Sequence, residues 1–190
     1  SWGRTGGNNN FSWVDLDNEL SSKLIVDFLV SKGHRNIGYI SIIEQYNFAS
    51  QRRKAFLESL SNHNIGFKKK YYASIKYEDP KLHKDVIKKM LNLNPEITSL
   101  VCSTEYSIVG AVNAVRELKR VVGKDISIVG YDGPIVSAYT SPSISAITHP
   151  LEKMGIKAIE MLFSTKKNQN YLVEPKFLDR GSVHKVTKNQ

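Results

Sequence analysis

The residues of this chain that can do chemistry stand just past the ends of short apolar runs. Residues 44–47 follow the run 36–42, and Arg52 then opens a helical stretch. Tyr77 follows the run 69–75, Thr104 and Glu105 follow 99–103, Asp132 follows 126–131, and His149 follows 143–148. If the runs are parallel strands of one open sheet, these residues converge on its carboxyl rim, where such sheets bind ligands. Their types suit a polyol. Arginine, aspartate, threonine and histidine hydrogen-bond hydroxyls, and Tyr77 can lay its ring on the apolar face of a sugar. A structural role competes at each position, because strand-end polar residues also cap helices and close turns. Asp132 before Gly133 has ordinary turn chemistry.

Signatures of catalysis and metal binding do not accompany this set. There is no Gly-x-Ser-x-Gly nucleophile turn. Gly123-Lys124 lacks the glycine five residues earlier that a phosphate loop needs, and Leu118 stands there. The histidines (His34, His63, His83, His149 and His184) lack metal-ligand spacing, and His34, just past Gly33, reads as part of a turn. Asp15 and Asp17, ahead of a helical stretch, read as caps and dipole complement before an acid–base pair. Cys102 sits in the apolar Ser99-Leu100-Val101-Cys102 and, as the only cysteine, makes no internal disulfide. The expectation is a binding protein with no catalytic residue, no metal and no cofactor.

What must position the rim is an alternation of strand-like and helix-like segments. Leu24, Ile25, Phe28 and Leu29 stripe a helix over 19–31, with Gly33 placed to end it. A strand over 36–42 precedes a helix over 50–63. A strand over 69–75 precedes a helix striped by Leu82, Val86, Ile87, Met90 and Leu91. The strand 99–103 precedes a helix striped by Ile108, Val112, Val115 and Leu118. The strands 126–131 and 143–148 follow, then a helix over 150–163 with Pro150 in its first turn, then one strand over 171–178. Such alternation implies an α/β fold with right-handed crossovers and a parallel sheet flanked by helices. The first helix and the one after Pro150 have no parallel sheet of their own in this reading.

Composition agrees with a globular domain, at 41% hydrophobic and 24% charged residues. No apolar run approaches the ~20 residues that span a bilayer, so no membrane contact is expected. Ser1 to Arg4 shows no apolar segment behind a basic one, so a cytoplasmic location is expected. The net charge of +9 would suit a polyanion, but apart from Lys68-Lys69-Lys70 the basic residues are scattered, which reads as a solvated surface.

Several phrases, in order, resemble the LacI/GalR family of bacterial repressors: Val14-Asp15-Leu16-Asp17-Asn18, the helix end Lys32-Gly33-His34-Arg35-Asn36-Ile37, Gln51-Arg52-Arg53-Lys54-Ala55-Phe56, Ile126-Ser127-Ile128-Val129-Gly130-Tyr131-Asp132, Ile147-Thr148-His149-Pro150 and Leu178-Asp179-Arg180-Gly181-Ser182. The resemblance implies a two-lobed, periplasmic-binding-protein-like type I fold, with a small-molecule effector in the cleft between lobes. It places residues 1–34 and 149–178 in an incomplete N-terminal lobe, and 35–148 and 179–190 in the C-terminal lobe. It implies a sugar-responsive repressor's effector-binding and dimerisation region, reaching operator DNA only through a headpiece absent from this chain. By position, the resemblance makes Arg52 and Asp132 ligand contacts, turns His149 to the cleft and puts Tyr77 near a stacking position. Asp17 and Asn18 come near the N-lobe side. Thr104-Glu105 stands where the family has Asn-Asp, which leaves the usual sugar pattern in doubt. The helix from Ser107 and the segment 136–142 are expected in a homodimer contact. A sugar receptor of a transport system, or an α/β enzyme, are the alternatives.

Overall fold

The apolar runs become the strands of two sheets. A computed structural model describes residues 1, 3–4, 11–43, 46–76, 79–132, 136–166 and 168–186, except the side chains of Asp132 and Val136. The elements are β1 (Trp13–Leu16), α1 (Asn18–Ser31), β2 (Ile37–Ile42), α2 (Asn47–Asn62), β3 (Tyr72–Ile75), α3 (Pro80–Leu93), β4 (Ser99–Cys102), α4 (Glu105–Glu117), β5 (Ser127–Asp132), α5 (Val136–Tyr139), β6 (Ser145–Thr148), α6 (Leu151–Leu162), β7 (Asn170–Val173) and β8 (Lys176–Leu178). The larger sheet runs β3-β2-β4-β5-β6-β8, with β8 alone antiparallel; β1 and β7 form a separate parallel pair.

Helices cover both faces of the larger sheet, so β2 and β4 are buried at every position and mostly apolar. Ile40, Leu100, Cys102 and Ile128 face α3 and α4, in a core with Ile87, Met90, Leu91 and Ile108. The alternate residues Tyr39, Val101, Val129, Tyr131 and Ile147 face α1 and α2, packed on Ile25, Val26, Leu29 and Phe56. Fully burying each such side chain contributes roughly 1.5–3 kcal/mol. The smaller body has a slighter core, in which Val14 and Val173 of its two strands meet Met154 and Met161 of α6. Its helix leaves Ile156, Ile159, Leu162 and Phe163 exposed.

Several sequence expectations are revised. Residues 69–71 form a 3-10 turn, and β3 begins only at Tyr72. The single strand expected over 171–178 is two strands in different sheets, broken at Glu174-Pro175. The helix after Pro150 does have a parallel pair to pack on. The boundaries at 34 and 178 put α1 and β8 in the smaller lobe, but both pack with the larger sheet. The stripe of α1 closes the core over Tyr39 and Val129, and Phe28 meets Phe177 of β8 at 4.6 Å between ring centroids. Gly33 does end α1 with φ +92, a left-handed geometry that glycine adopts without a Cβ clash.

At the amino ends of the strands, His34 is buried against the tail. Its Nδ1 lies 2.8 Å from Thr98 Oγ1 and its Nε2 3.1 Å from the His184 carbonyl. Ser127 Oγ is 3.0 Å from both His34 Nε2 and His184 Nδ1. The protons close with both rings neutral: Thr98 donates to Nδ1, Nε2–H donates to the carbonyl, and Ser127 donates to His184. Burial pushes His34 from 6.5 down to about 4, and His184 beside it adds to the shift. Burial also lowers His184 and His83.

A histidine that resists protonation only when folded contributes stability above the unfolded value of 6.5, and this is lost as pH falls toward about 4. Urea midpoints measured from neutral pH downward should therefore fall through that window, with His34 accounting for about 2–3 kcal/mol. The slope should flatten in His34→Gln. Glu117, hydrogen-bonded by Lys84 and Lys88, and Glu96, hydrogen-bonded by Lys70, are held at about 2 and act only at lower pH. A second expectation concerns the α3–α4 contact. A Cβ on Gly110 would lie 2.6 Å from His83 Cβ. Overpacking costs about 1–3 kcal/mol against a helix-propensity gain of at most ~1 kcal/mol, so Gly110→Ala should lower the unfolding midpoint.

Candidate functional site

The carboxyl rim of the larger sheet opens into a cleft of about 560 Å³. Its floor is Arg52, Ser103 and Tyr131; the start of α2 supplies Tyr46, Asn47 and Phe48; the start of α4 supplies Thr104, Glu105 and Tyr106. The smaller body closes the other side with Arg4, Asp15, Leu151 and Met154.

Arg52 organises the floor. It lies in the second turn of α2, which aims it over the end of β4, and it is 5% exposed. Its Nε donates to Asn18 Oδ1 at 2.8 Å and one terminal nitrogen donates to the Ser103 carbonyl at 2.9 Å. The other lies 3.2 Å from His149 Nε2. A guanidinium can only donate, so that histidine nitrogen accepts and carries no proton here. The charged plane stacks on Tyr131 at 4.3 Å and on Phe48 at 4.9 Å, contacts that a desolvated cation makes favourably. Phe48 stands four residues before Arg52, which puts both on one helix face.

Tyr131 is fixed in turn. Burial pushes its hydroxyl up to about 12, with the Arg52 charge and the Ser22 contact opposing, so it stays protonated at neutral pH. Its oxygen is 2.5 Å from Ser22 Oγ, and Ser22 donates onward to the Arg52 or Asn18 carbonyl. Asn18, at the first position of α1 and 1% exposed, donates to Leu16 O at 3.2 Å and to Gln51 Oε1 at 3.0 Å.

Of the residues expected from sequence, the structure brings Arg52, Thr104, Glu105 and His149 to the cleft. Thr104 presents little to a ligand. It caps α4, its hydroxyl accepting from Ser107 N at 3.3 Å and lying 3.0 Å from Ser107 Oγ, which continues to His83 Nδ1 at 3.1 Å. Asp17 does not line the cleft. Its carboxylate accepts from Leu20 N at 2.8 Å as the cap of α1, the role its spacing also suggested, and its neighbour Asn18 faces the site. Asp132 ends β5, paired in register with Thr148, but its side chain lies outside the described residues, as does Tyr77. Tyr46 and Asn47 come from the rim segment 44–47 that the sequence pointed to, while Arg4, Asp15, Phe48, Tyr106 and Tyr131 escaped the sequence reading. Only Phe48 and Tyr131 carried a signal, by helical spacing to Arg52 and by adjacency to Asp132. Among the described residues no cluster of acidic, histidine and cysteine side chains could hold a metal.

A family model of the periplasmic binding protein-like domain matches residues 26–183. The probable HTH-type transcriptional repressor ExuR of Bacillus subtilis is 29% identical over 171 residues, covering 87% of this chain and 51% of ExuR. The HTH-type transcriptional repressor PurR of Proteus mirabilis is 30% identical over 188 residues, covering 96% of this chain and 54% of PurR. The chain thus spans about half the length of the curated relatives it matches. A solved transcriptional regulator CelR–cellobiose complex superposes with a TM-score of 0.87 at 21% identity, covering 95% of this chain and 57% of that one. At that identity the likeness is one of fold.

Removing the Arg52 guanidinium leaves buried acceptors without donors, at about 1–3 kcal/mol each. Arg52→Met should therefore cost about 2–4 kcal/mol in urea unfolding. Arg52→Lys should recover less than half of that, because an ammonium cannot reach the three acceptors from one position. A cost within about 0.5 kcal/mol, the range of an ordinary surface change, would show that the floor does not depend on Arg52.

Proposed function

We propose, on the premise that this chain belongs to the periplasmic-binding-protein-like domain family in its LacI/GalR branch, that it is the effector-binding and dimerisation part of a transcription repressor responding to a sugar or sugar derivative. The observation that carries the reading is the Arg52 network. One buried cation collects Asn18 from the start of α1, Ser103 from the end of β4 and His149 from the end of β6 on the floor of a cleft between two bodies. Aromatic rings and hydrogen-bonding groups on one concave surface suit a polyol, whose rings are apolar on their faces and polar at their edges.

The two bodies are the lobes of this reading. In this reading β1, β7 and α6, which share one core, belong to the smaller lobe, and the remaining elements, α1 and β8 among them, belong to the larger. An effector that touches both lobes favours one relative orientation over another by its differential contacts alone. In a homodimer that carries a DNA-binding headpiece on the same chain, such a shift changes operator affinity. The helix from Ser107 and the segment 136–142 form part of the dimer contact, where Tyr139 is 84% exposed. In this reading the protein works in the cytoplasm, where operator DNA is, without turnover. A sugar receptor of a transport system would share the fold, but the curated relatives are named as repressors.

Thermal unfolding of the full-length protein with neutral mono- and disaccharides, uronic acids, sugar phosphates and purine bases tests the reading. One class should raise the midpoint saturably, corresponding to about 2.7 kcal/mol at a hundredfold excess over Kd, and should change operator affinity in fluorescence anisotropy. If no class moves either readout, the effector reading fails.

A further inference from the structure

The hydrogen-bond chain on the cleft floor extends past what is needed to hold Arg52. Arg4 belongs to the smaller body, because the segment carrying it runs beside β1. Gly3 N donates to the Val14 carbonyl at 2.8 Å and Val14 N donates to the Ser1 carbonyl at 3.1 Å. Its side chain nevertheless reaches α2, where a terminal nitrogen donates to Gln51 Oε1 at 3.1 Å. Its carbonyl accepts from Asn47 Nδ2, also on α2, at 2.9 Å. The guanidinium is held by Asp15 of its own body, Oδ2 lying 3.3 Å from Nε, and pairs across the cleft with Glu19 of α1, whose Oε2 lies 2.5 Å from the terminal nitrogen.

Gln51 makes this contact directional. Its Oε1 accepts from Arg4 and, at 3.0 Å, from Asn18 Nδ2. Two donors on one oxygen dictate the amide orientation, because a flip would set the NH2 group against both. Asn18 then accepts Arg52 Nε through its own oxygen at 2.8 Å. Arg4, Gln51, Asn18, Arg52 and His149 therefore form one continuous polar chain from the smaller body across the cleft floor to the β6 crossover.

We propose that Arg4 and Gln51 form a clasp that holds the cleft closed, and that Gln51 is the positioning residue that carries closure to Arg52. The proposal rests on the reading of the cleft as a binding site between two lobes that move. Opening breaks the Arg4–Gln51 and Asn47–Arg4 hydrogen bonds and the Arg4–Glu19 ion pair together, and releases one of the two donors that fix the Gln51 amide. Asn18, and through it Arg52, then lose a constraint. The orientation of the central binding residue is thereby linked to the state of the lobes, before any effector arrives.

The test measures interlobe distances in the full-length protein without effector, using spin labels at the exposed positions Lys89→Cys on α3 and Lys153→Cys on α6. Cys102 is buried and is left in place. Gln51→Leu removes the acceptor and should raise the open-to-closed ratio about fivefold, the value of one ordinary hydrogen bond. Gln51→Glu keeps both donors and adds charge assistance, so it should shift the ratio the other way. Arg4→Met should open the cleft by itself and abolish the effect of Gln51→Glu. Unchanged distances, shifts of the same sign for Leu and Glu, or a Gln51→Glu effect that survives Arg4→Met would each overturn the clasp. A merely structural Gln51 would lower the unfolding midpoint in these variants without moving the distances. Because no effector is present, failure of the effector reading leaves this measurement standing, and unchanged distances count against the clasp alone.

Discussion

A guanidinium that is 5% exposed cannot be left with unmatched donors, and the carboxyl rim is arranged around that requirement. The second turn of α2 must point at the sheet. β4 must end in time for the Ser103 carbonyl to turn to Arg52 while the Ser103 amide still donates to Ile40. The start of α1 must present an amide oxygen, and β6 must deliver an unprotonated histidine nitrogen. The rings of Tyr131 and Phe48 lie against the cation, where water would otherwise compete for its protons. The same contacts that satisfy the charge bring together residues far apart in sequence, so the site and the local fold have one cause.

The larger sheet supplies the rigidity this needs. Both faces are covered by helix pairs, and the α3–α4 contact is close enough that only glycine fits at residue 110. The smaller body contributes two strands and one helix with a slight apolar core. Its attachment to α2 is therefore more polar than the larger body's own packing. Polar contacts of this kind can be exchanged for contacts with a ligand or with water at little net cost, whereas separating an apolar interface exposes its whole area. This asymmetry suits a cleft whose walls are expected to change their relation, with one wall fixed and the other held by a few hydrogen bonds and the Arg4–Glu19 ion pair.

Much of this was legible in the sequence, and the rest was hidden for physical reasons. Strands buried on both faces read as continuous apolar runs, so the five parallel strands of the larger sheet and their helices were visible, as were Arg52 and His149 as rim residues. A helical stripe, however, says that a face is covered and not what covers it, so α1 was left without a sheet although it packs on the larger one. The run 171–178 has no turn residue except Pro175, so two strands in different sheets read as one. Arg4 gave no signal, because its place depends on a strand pairing with Val14 and on carboxylates eleven and fifteen residues away.

The rim also shows how adjacent residues divide binding from capping. An N-cap has extended backbone geometry, and its side-chain oxygen turns back onto the amide three residues on. That geometry engages Asp17 with Leu20 and Thr104 with Ser107. The residue after each cap is helical and does not turn back onto the capped amide, and there Asn18 and Glu105 line the cleft. α2 begins differently: Tyr46 stands at its cap position without a side-chain capping bond, and its ring lines the cleft. When helices start on a ligand-binding rim, the polar residue with the best capping chemistry is thus the weaker candidate for binding, and its successor the stronger. Applied to this chain, that argument exchanges Asp17 for Asn18 and discounts the Thr104 hydroxyl. It leaves Arg52 and His149, which the resemblance also named, joined by Asn18 at the start of α1.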